Sequence, residues 1–129
     1  MANLSESRSN APYVFVCYAH DDEAQIYPHL SWLKEHGVEW WQDRGIRAGT
    51  VWLEEIEHAL HRATHLLFFV SRASVASEHC SREVLYAIDH GKALIPVFLE
   101  DVELVRGLQI GLSRVQALFA HRLDRKSVV

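Results

Sequence analysis

The chain has 129 residues, 49% of them hydrophobic, which is a common size for one domain and enough apolar material for an ordinary core. Lys and Arg number 13 against 17 Asp and Glu, a formal charge of -4, so no global attraction to phosphate backbones or anionic lipid is expected. Nucleic acid and membrane are therefore not expected partners, and no apolar run has the length that crosses a bilayer.

Residues 1–11 are mostly polar, lack the apolar core of a signal peptide, and read as a flexible tail. Residues 12–124 read as one domain, and 125–129 as the start of a linker or a truncated final helix. The nine histidines are scattered and read as surface and helix-end residues, so no metal is expected. Cys17 and Cys80 fall in a buried strand and a helix start, which suits a reduced, cytoplasmic protein better than a disulfide scaffold.

In chain order, Tyr13–Tyr18 is rich in β-branched and aromatic residues on both alternating faces, as in a strand buried in a parallel sheet. Asp21 or Asp22 can cap the helix that follows, whose inward positions are Ala24, Ile26, Tyr27, Leu30 and Leu33, with Gly37 as its stop. A short second strand, Val38–Trp41, leads into the exposed loop Gln42–Gly49, which holds two glycines. From Thr50, the positions Trp52, Leu53, Ile56, Ala59 and Leu60 make a second amphipathic helix.

The third strand, Thr64–Ser71, is the most hydrophobic. A third helix over Ser77–His90 turns Val84, Leu85, Ala87 and Ile88 inward and stops at Gly91 before the fourth strand, Ala93–Leu99. Pro96 in that strand argues for an edge or for full pairing on one side only. Residues 100–113 read as a polar loop with a short helix, and Val115–Ala120 as the fifth strand.

Strands alternating with helices predict an α/β fold: a flavodoxin-like three-layer sandwich, with a five-stranded parallel sheet and helices on both faces. Ligands of such sheets bind beyond the strand carboxyl ends where the order reverses, here between the first and third strands. Tyr18, Ala19 and His20, Ser71 to Ser74, and the loop Gln42–Gly49 border that crevice. Glu83, in the first two turns of the third helix, opens onto the same side. A carboxylate there can face a cationic or oxocarbenium-like centre, or it can simply complement the helix N-terminus.

The pair Asp21–Asp22 after the first strand suggests the magnesium pocket of a response-regulator receiver. That site needs an aspartate where this chain has Ser71 and a lysine where it has His121. No phosphate-cradling glycine motif follows any strand, which excludes the usual dinucleotide-binding and P-loop signatures. Cys17 and Ser71 have no histidine placed as a general base. The tryptophans read mainly as core or loop anchors, with Trp41 and Trp52 the two that could stack on a base.

Four stretches in register resemble the TIR (Toll/interleukin-1 receptor/resistance) family, of bacterial type. Tyr13–His20 resembles its first box, and Gln42–Trp52 its second. Ser71 ends the third strand as is typical, and Ser77-Glu-His-Cys-Ser-Arg-Glu83 resembles the Ser-x-x-Cys-x-x-Glu stretch. The resemblance spans residues 13 to 120. Ala48 departs from a frequent proline, His79 stands where NAD-cleaving members carry a Trp, and the aromatic pair of the third box is not evident.

The resemblance implies hydrolysis of NAD+ at the nicotinamide N-glycosidic bond, giving nicotinamide and ADP-ribose or a cyclised form. Glu83 would be catalytic. Tyr18, Ala19, His20, Asp43, Arg44, Ile46, Trp52, Ser71 and His79 would bind substrate. NAD+ would be consumed as substrate, with no bound cofactor and no metal. Such members work by self-association with other TIR domains, here through the loop residues Asp43, Arg44, Gly45, Arg47 and Gly49, often as effectors of bacterial antiviral defence or signalling. The alternative is a non-catalytic TIR–TIR adaptor module; a nucleoside deoxyribosyltransferase-like enzyme fits the second box poorly.

Overall fold

The computed structural model describes residues 11–43, 50–102 and 118–119, and of residues 50–52 and 118–119 only the backbone course. In chain order it contains β1 (Tyr13–Cys17), a 3-10 turn (His20–Asp22), α1 (Glu23–Glu35), β2 (Glu39–Gln42), α2 (Thr50–Arg62) and β3 (His65–Val70). A single helical turn, α3 (Arg72–Val75), then precedes α4 (Glu78–Asp89), β4 (Ala93–Phe98) and β5 (Leu118–Phe119). The strands pair in parallel in the order β2-β1-β3-β4-β5, so the direction of winding reverses between β1 and β3, as the flavodoxin-like reading requires. Four strands have four to six residues and the last has two. The remainder of the expected fifth strand, most of the loop after β4, most of the expected N-terminal tail and the closing segment 125–129 lie outside the described residues.

The alternation of side chains along each strand divides the core into two layers. Phe15, Cys17, Leu66, Phe68 and Val70 point to one face, where Ile56, Ala59 and Leu60 of α2 and Cys80, Val84 and Ala87 of α4 cover them. Val14, Val16, Leu67 and Phe69 point to the other, under Ile26 and Leu30 of α1. The strands are apolar on both faces because both faces are covered.

Both predicted glycine stops are present. Gly37 and Gly91 have φ of 72° and 69°, a region L side chains avoid. Val38 N–H donates to the Leu33 carbonyl and Gly37 N–H to that of Lys34; Lys92 and Gly91 do the same to Ala87 and Ile88. Each pair is the 6→1 and 5→2 arrangement that satisfies the last carbonyls of a helix.

Four residues expected inward are exposed. The buried stripe of α1 is Ile26 and Leu30 with half-buried Leu33, and Ala24 and Tyr27 are turned away from it. In α4, Leu85 lies about 100° around the helix from Val84 and faces solvent. Leu53 does share the face of Ile56, but it stands over a groove between α2 and α4 and is half exposed. A helix packed on one sheet face buries a narrower stripe than the apolar count of these segments suggests.

Pro96 behaves as its chemistry requires. β4 pairs with β3 along all six residues and, among the described residues, with β5 at Val97 and Phe98. Ala93 N–H and Leu99 N–H donate to β3-side carbonyls, so by the alternation of a parallel ladder residue 96 turns its nitrogen, which has no hydrogen, toward the β5 side.

Phe68 is fully buried at the centre of β3. Phe68→Ala is expected to cost about 3–5 kcal/mol in urea unfolding, whereas Leu85→Ala should stay within about 0.5 kcal/mol of wild type.

Candidate functional site

At the carboxyl end of the sheet, the turn after β1 is fastened to the end of β2. Tyr18 O–H donates to the Asp43 carbonyl at 2.7 Å and accepts from Gln42 Nε2 at 3.2 Å. His20 Nε2 lies 3.2 Å from the same carbonyl, which can only accept, and the two rings meet edge to face at 5.4 Å. Burial raises the Tyr18 phenol above its ordinary range, partly offset by the Gln42 hydrogen bond, and the hydroxyl stays protonated at neutral pH.

A second fastening joins the turn to β3. Asp22 occupies the N-cap position of α1 but makes no cap hydrogen bond. Its buried carboxyl instead accepts from Ser71 Oγ in a short contact, and from Gln25 Nε2 at 3.4 Å. Ser71 and Ser74 form a reciprocal capping box at the start of α3. The expectation that Asp21 or Asp22 caps the first helix is thus corrected: burial beside Ser71 takes the Asp22 carboxyl away from the helix end.

The third part is the start of α4, where Ser77 caps the helix by accepting from Cys80 N–H at 3.2 Å. The inward stripe of α4 is Cys80, Glu83, Val84 and Ala87, so a carboxyl lies in a row of apolar side chains. A cleft of 360 Å³ opens against this stripe. Its walls are Tyr18, Ala19, His20 and Asp21 after β1, Asp43 after β2, Ala73 of α3, and Ser77, His79, Cys80 and Glu83.

Glu83 is only 9% exposed. Burial, and the nearby Cys80 sulfur and Asp43 carboxyl, raise its pKa from 4.5 to about 8, against smaller opposing effects of the Cys17 thiol and Arg82. At neutral pH it is mostly a neutral acid, able both to donate and to accept a hydrogen bond. A bound cation would favour its ionised form. Acidic groups from three elements, Asp21, Asp43 and Glu83, converge on the cleft, which suits a ligand with a positive centre.

A sequence profile of the TIR domain family matches residues 14–127. The chain belongs to the TIR domain family. An uncharacterized protein of Sinorhizobium fredii, y4lF, is 38% identical over 73 residues, which is 54% of this chain and 23% of that protein. The chain therefore matches less than a quarter of that relative's length. The TIR domain of the Toll-related receptor TRR-2 from Hydra magnipapillata superposes with a TM-score of 0.71 at 19% identity, covering 89% of each chain. The TIR domains of the activated Roq1 resistosome superpose with a TM-score of 0.60 at 20% identity, over 92% of this chain and 77% of theirs. At these identities the two structures establish the fold.

Of the site residues expected from sequence, this TIR domain brings Glu83, Tyr18, Ala19, His20, Asp43 and His79 to one cleft. Ser71 is not on its wall; it lies buried, holding Asp22. Trp41, one of the two tryptophans considered for base stacking, is stacked on Phe15 at 5.1 Å and is a core anchor. Trp52 lies in the first turn of α2, and its side chain, with Arg44, Gly45, Ile46, Arg47 and Gly49, lies outside the described residues. Ala73 falls in the Ser71–Ser74 stretch expected at the crevice, whereas sequence reasoning missed Cys80 and Ser77 as wall residues. The signal for Cys80 was its position three before Glu83, which puts both on one helix face. His58 and His61 share a face of α2, but among the described residues no group of three His, Cys, Asp or Glu is placed to hold a metal, and no helix is long and apolar enough to cross a membrane.

The raised pKa of Glu83 carries a stability consequence. Between pH 4.5 and 8 the unfolded chain has released a proton that the folded domain keeps, so stability falls as pH rises through that window and levels off above it. Glu83→Gln removes this dependence. In urea unfolding it should gain on wild type by up to about 1.4 kcal/mol per pH unit across the window; parallel pH profiles would show that Glu83 titrates normally.

Proposed function

We propose that this TIR domain is an NAD+ glycohydrolase that cleaves the nicotinamide N-glycosidic bond, with Glu83 as its catalytic carboxyl. The observation that carries the reading is a buried carboxyl, held neutral by its surroundings, on the wall of a cleft at the point where the strand order reverses. NAD+ brings a pyridinium cation. Placed against Glu83, that charge offsets the penalty of ionising the buried acid and converts it to a carboxylate when substrate is bound.

Heterolysis then sends the bonding electron pair to the nicotinamide nitrogen, which leaves neutral, and moves the positive charge onto the ribose. A largely buried carboxylate stabilises that oxocarbenium-like centre more strongly than one in bulk water would. Water adds at the anomeric carbon and loses a proton, giving ADP-ribose. Tyr18 and His20 line the same cleft as Glu83. Arg44 and Arg47 follow Asp43 closely in sequence and supply positive charge suited to the pyrophosphate. NAD+ is the substrate, and no further cofactor or metal enters.

The domain is read as working in self-assembled form, with the loop Gln42–Gly49 as a contact surface and with the domain as the effector of a longer protein. Asp43, Arg44 and Arg47 offer charges of both signs to a neighbouring copy. Residence of the Roq1 TIR domains in an activated resistosome supports an assembled state.

NAD+ loss and nicotinamide release by concentrated or artificially clustered protein test the reading. Turnover is expected in wild type and at least about 100-fold less in Glu83→Ala with its fold intact. No wild-type turnover in any assembled state would instead leave a TIR–TIR docking module. Because the free domain holds a proton on Glu83 up to about pH 8, kcat/KM should fall about tenfold for each unit below that pH and level off above it. Arg44→Glu should abolish the dependence of specific activity on protein concentration; an unchanged dependence would remove this loop from the assembly.

A further inference from the structure

The reading of Glu83 leaves the two thiols beside it without a role. Both cysteines are free and buried. Cys17 is the last residue of β1 and has no exposed surface, while Cys80, in the first turn of α4, forms part of the cleft wall. Cys17 Sγ lies 3.8 Å from the Cys80 carbonyl oxygen.

The two thiols are not equivalent. The Cys17 S–H, as a hydrogen-bond donor, is the main cause that lowers Cys80, with Ser77 assisting and burial opposing. Cys17 itself is raised well above the ordinary thiol range, first by burial and then by Cys80 and Glu83. The sulfur that ionises more readily is therefore the one on the cleft, and the one behind it keeps its proton. That is the arrangement of an attacking thiol with a resolving thiol at its back.

We propose that Cys80 and Cys17 are a peroxide-oxidised pair, in which Cys80 reacts at the cleft surface and Cys17 closes an intramolecular disulfide beneath it. The Cys80 thiolate attacks one oxygen of a hydroperoxide, breaking the O–O bond and forming a sulfenic acid, with hydroxide or alkoxide leaving and taking a proton from solvent. Cys17 sulfur then displaces the sulfenic hydroxyl, which departs as water with the Cys17 proton. Two thiols are oxidised, and one peroxide supplies both electron-accepting oxygens. The product covalently joins the end of β1 to the first turn of α4, the two elements whose extensions carry Tyr18, His20 and Glu83. Oxidation so reshapes the wall beside Glu83, whatever substrate the cleft takes.

The test uses the full chain with hydrogen peroxide and reads thiol chemistry, so its outcome is separate from that of the hydrolase reading. Wild type should go from two titratable thiols to none, lose the mass of two hydrogens, remain uncrosslinked between chains on a non-reducing gel, and recover fully with dithiothreitol. Cys17→Ser should stop at a sulfenic acid that dimedone traps on Cys80. Cys80→Ser should leave Cys17 reduced. Peptide mapping of oxidised wild type decides the matter if either variant fails to fold: a linked pair of peptides containing Cys17 and Cys80 supports the proposal. Two retained thiols in wild type, oxidation of Cys80 to sulfinic acid in place of the disulfide, or bridging between chains would overturn it.

Discussion

A carboxyl group in the apolar stripe of a helix is the constraint on which the site depends. α4 packs on the sheet through Cys80, Val84 and Ala87, and Glu83 shares that face, so the packing that makes the helix stable also withdraws Glu83 from bulk water. Burial raises the pKa of an acid, and here it outweighs the neighbouring Arg82 charge, so that the value reaches about 8. The fold tolerates this because the group lies at the cleft and can stay protonated. In a sealed core the same residue would lack even that partial access to solvent.

Around Glu83 the sheet provides fixed walls. The loop ends are held by bonds between elements distant in sequence: Tyr18 to the Asp43 carbonyl, Asp22 to Ser71, and Arg72 to Glu100, where the guanidinium and the backbone N–H both reach the carboxylate. The last of these is exposed and contributes little on its own, but the Asp22–Ser71 contact is buried, and loss of either partner leaves the other with one buried hydrogen bond fewer. Together they bring β1, β2, β3 and β4 to a common end at which Glu83 faces the cleft. Position at the strand reversal and an unusual ionisation state coincide there, and together they favour chemistry over a merely structural acid.

Much of this was legible in the sequence because it rests on short-range signals. The β1, β3 and β4 runs are apolar on both faces, and Gly37 and Gly91 close helices; Pro96 sits in a strand that pairs with β3 along its length and with β5 at Val97 and Phe98 among the described residues. The placement of Glu83 at the crevice was legible from its position in α4. What was not legible depends on three-dimensional accommodation. Asp22 looks like a helix cap until Ser71, 49 positions later, is seen to take its carboxyl. Leu85, Tyr27 and Leu53 count as inward by composition, yet one sheet face accepts only a narrow stripe of each helix. Trp41 looks free to stack on a ligand until Phe15 covers it. Cys80 is apolar by type and lines the cleft by placement.

In the proposed mechanism Glu83 is a neutral acid in the free domain and becomes ionised against a cationic ligand. The most direct test of that mechanism is the ionisation of that one side chain, followed by the carboxyl carbon signal of Glu83 in isotopically labelled protein as pH is varied, alone and with a non-hydrolysable NAD+ analogue that keeps the pyridinium charge. The account predicts a titration midpoint near 8 without ligand and a clear downward shift with it. A midpoint near 4.5 in the free domain, or one that the cationic analogue leaves in place, would contradict it.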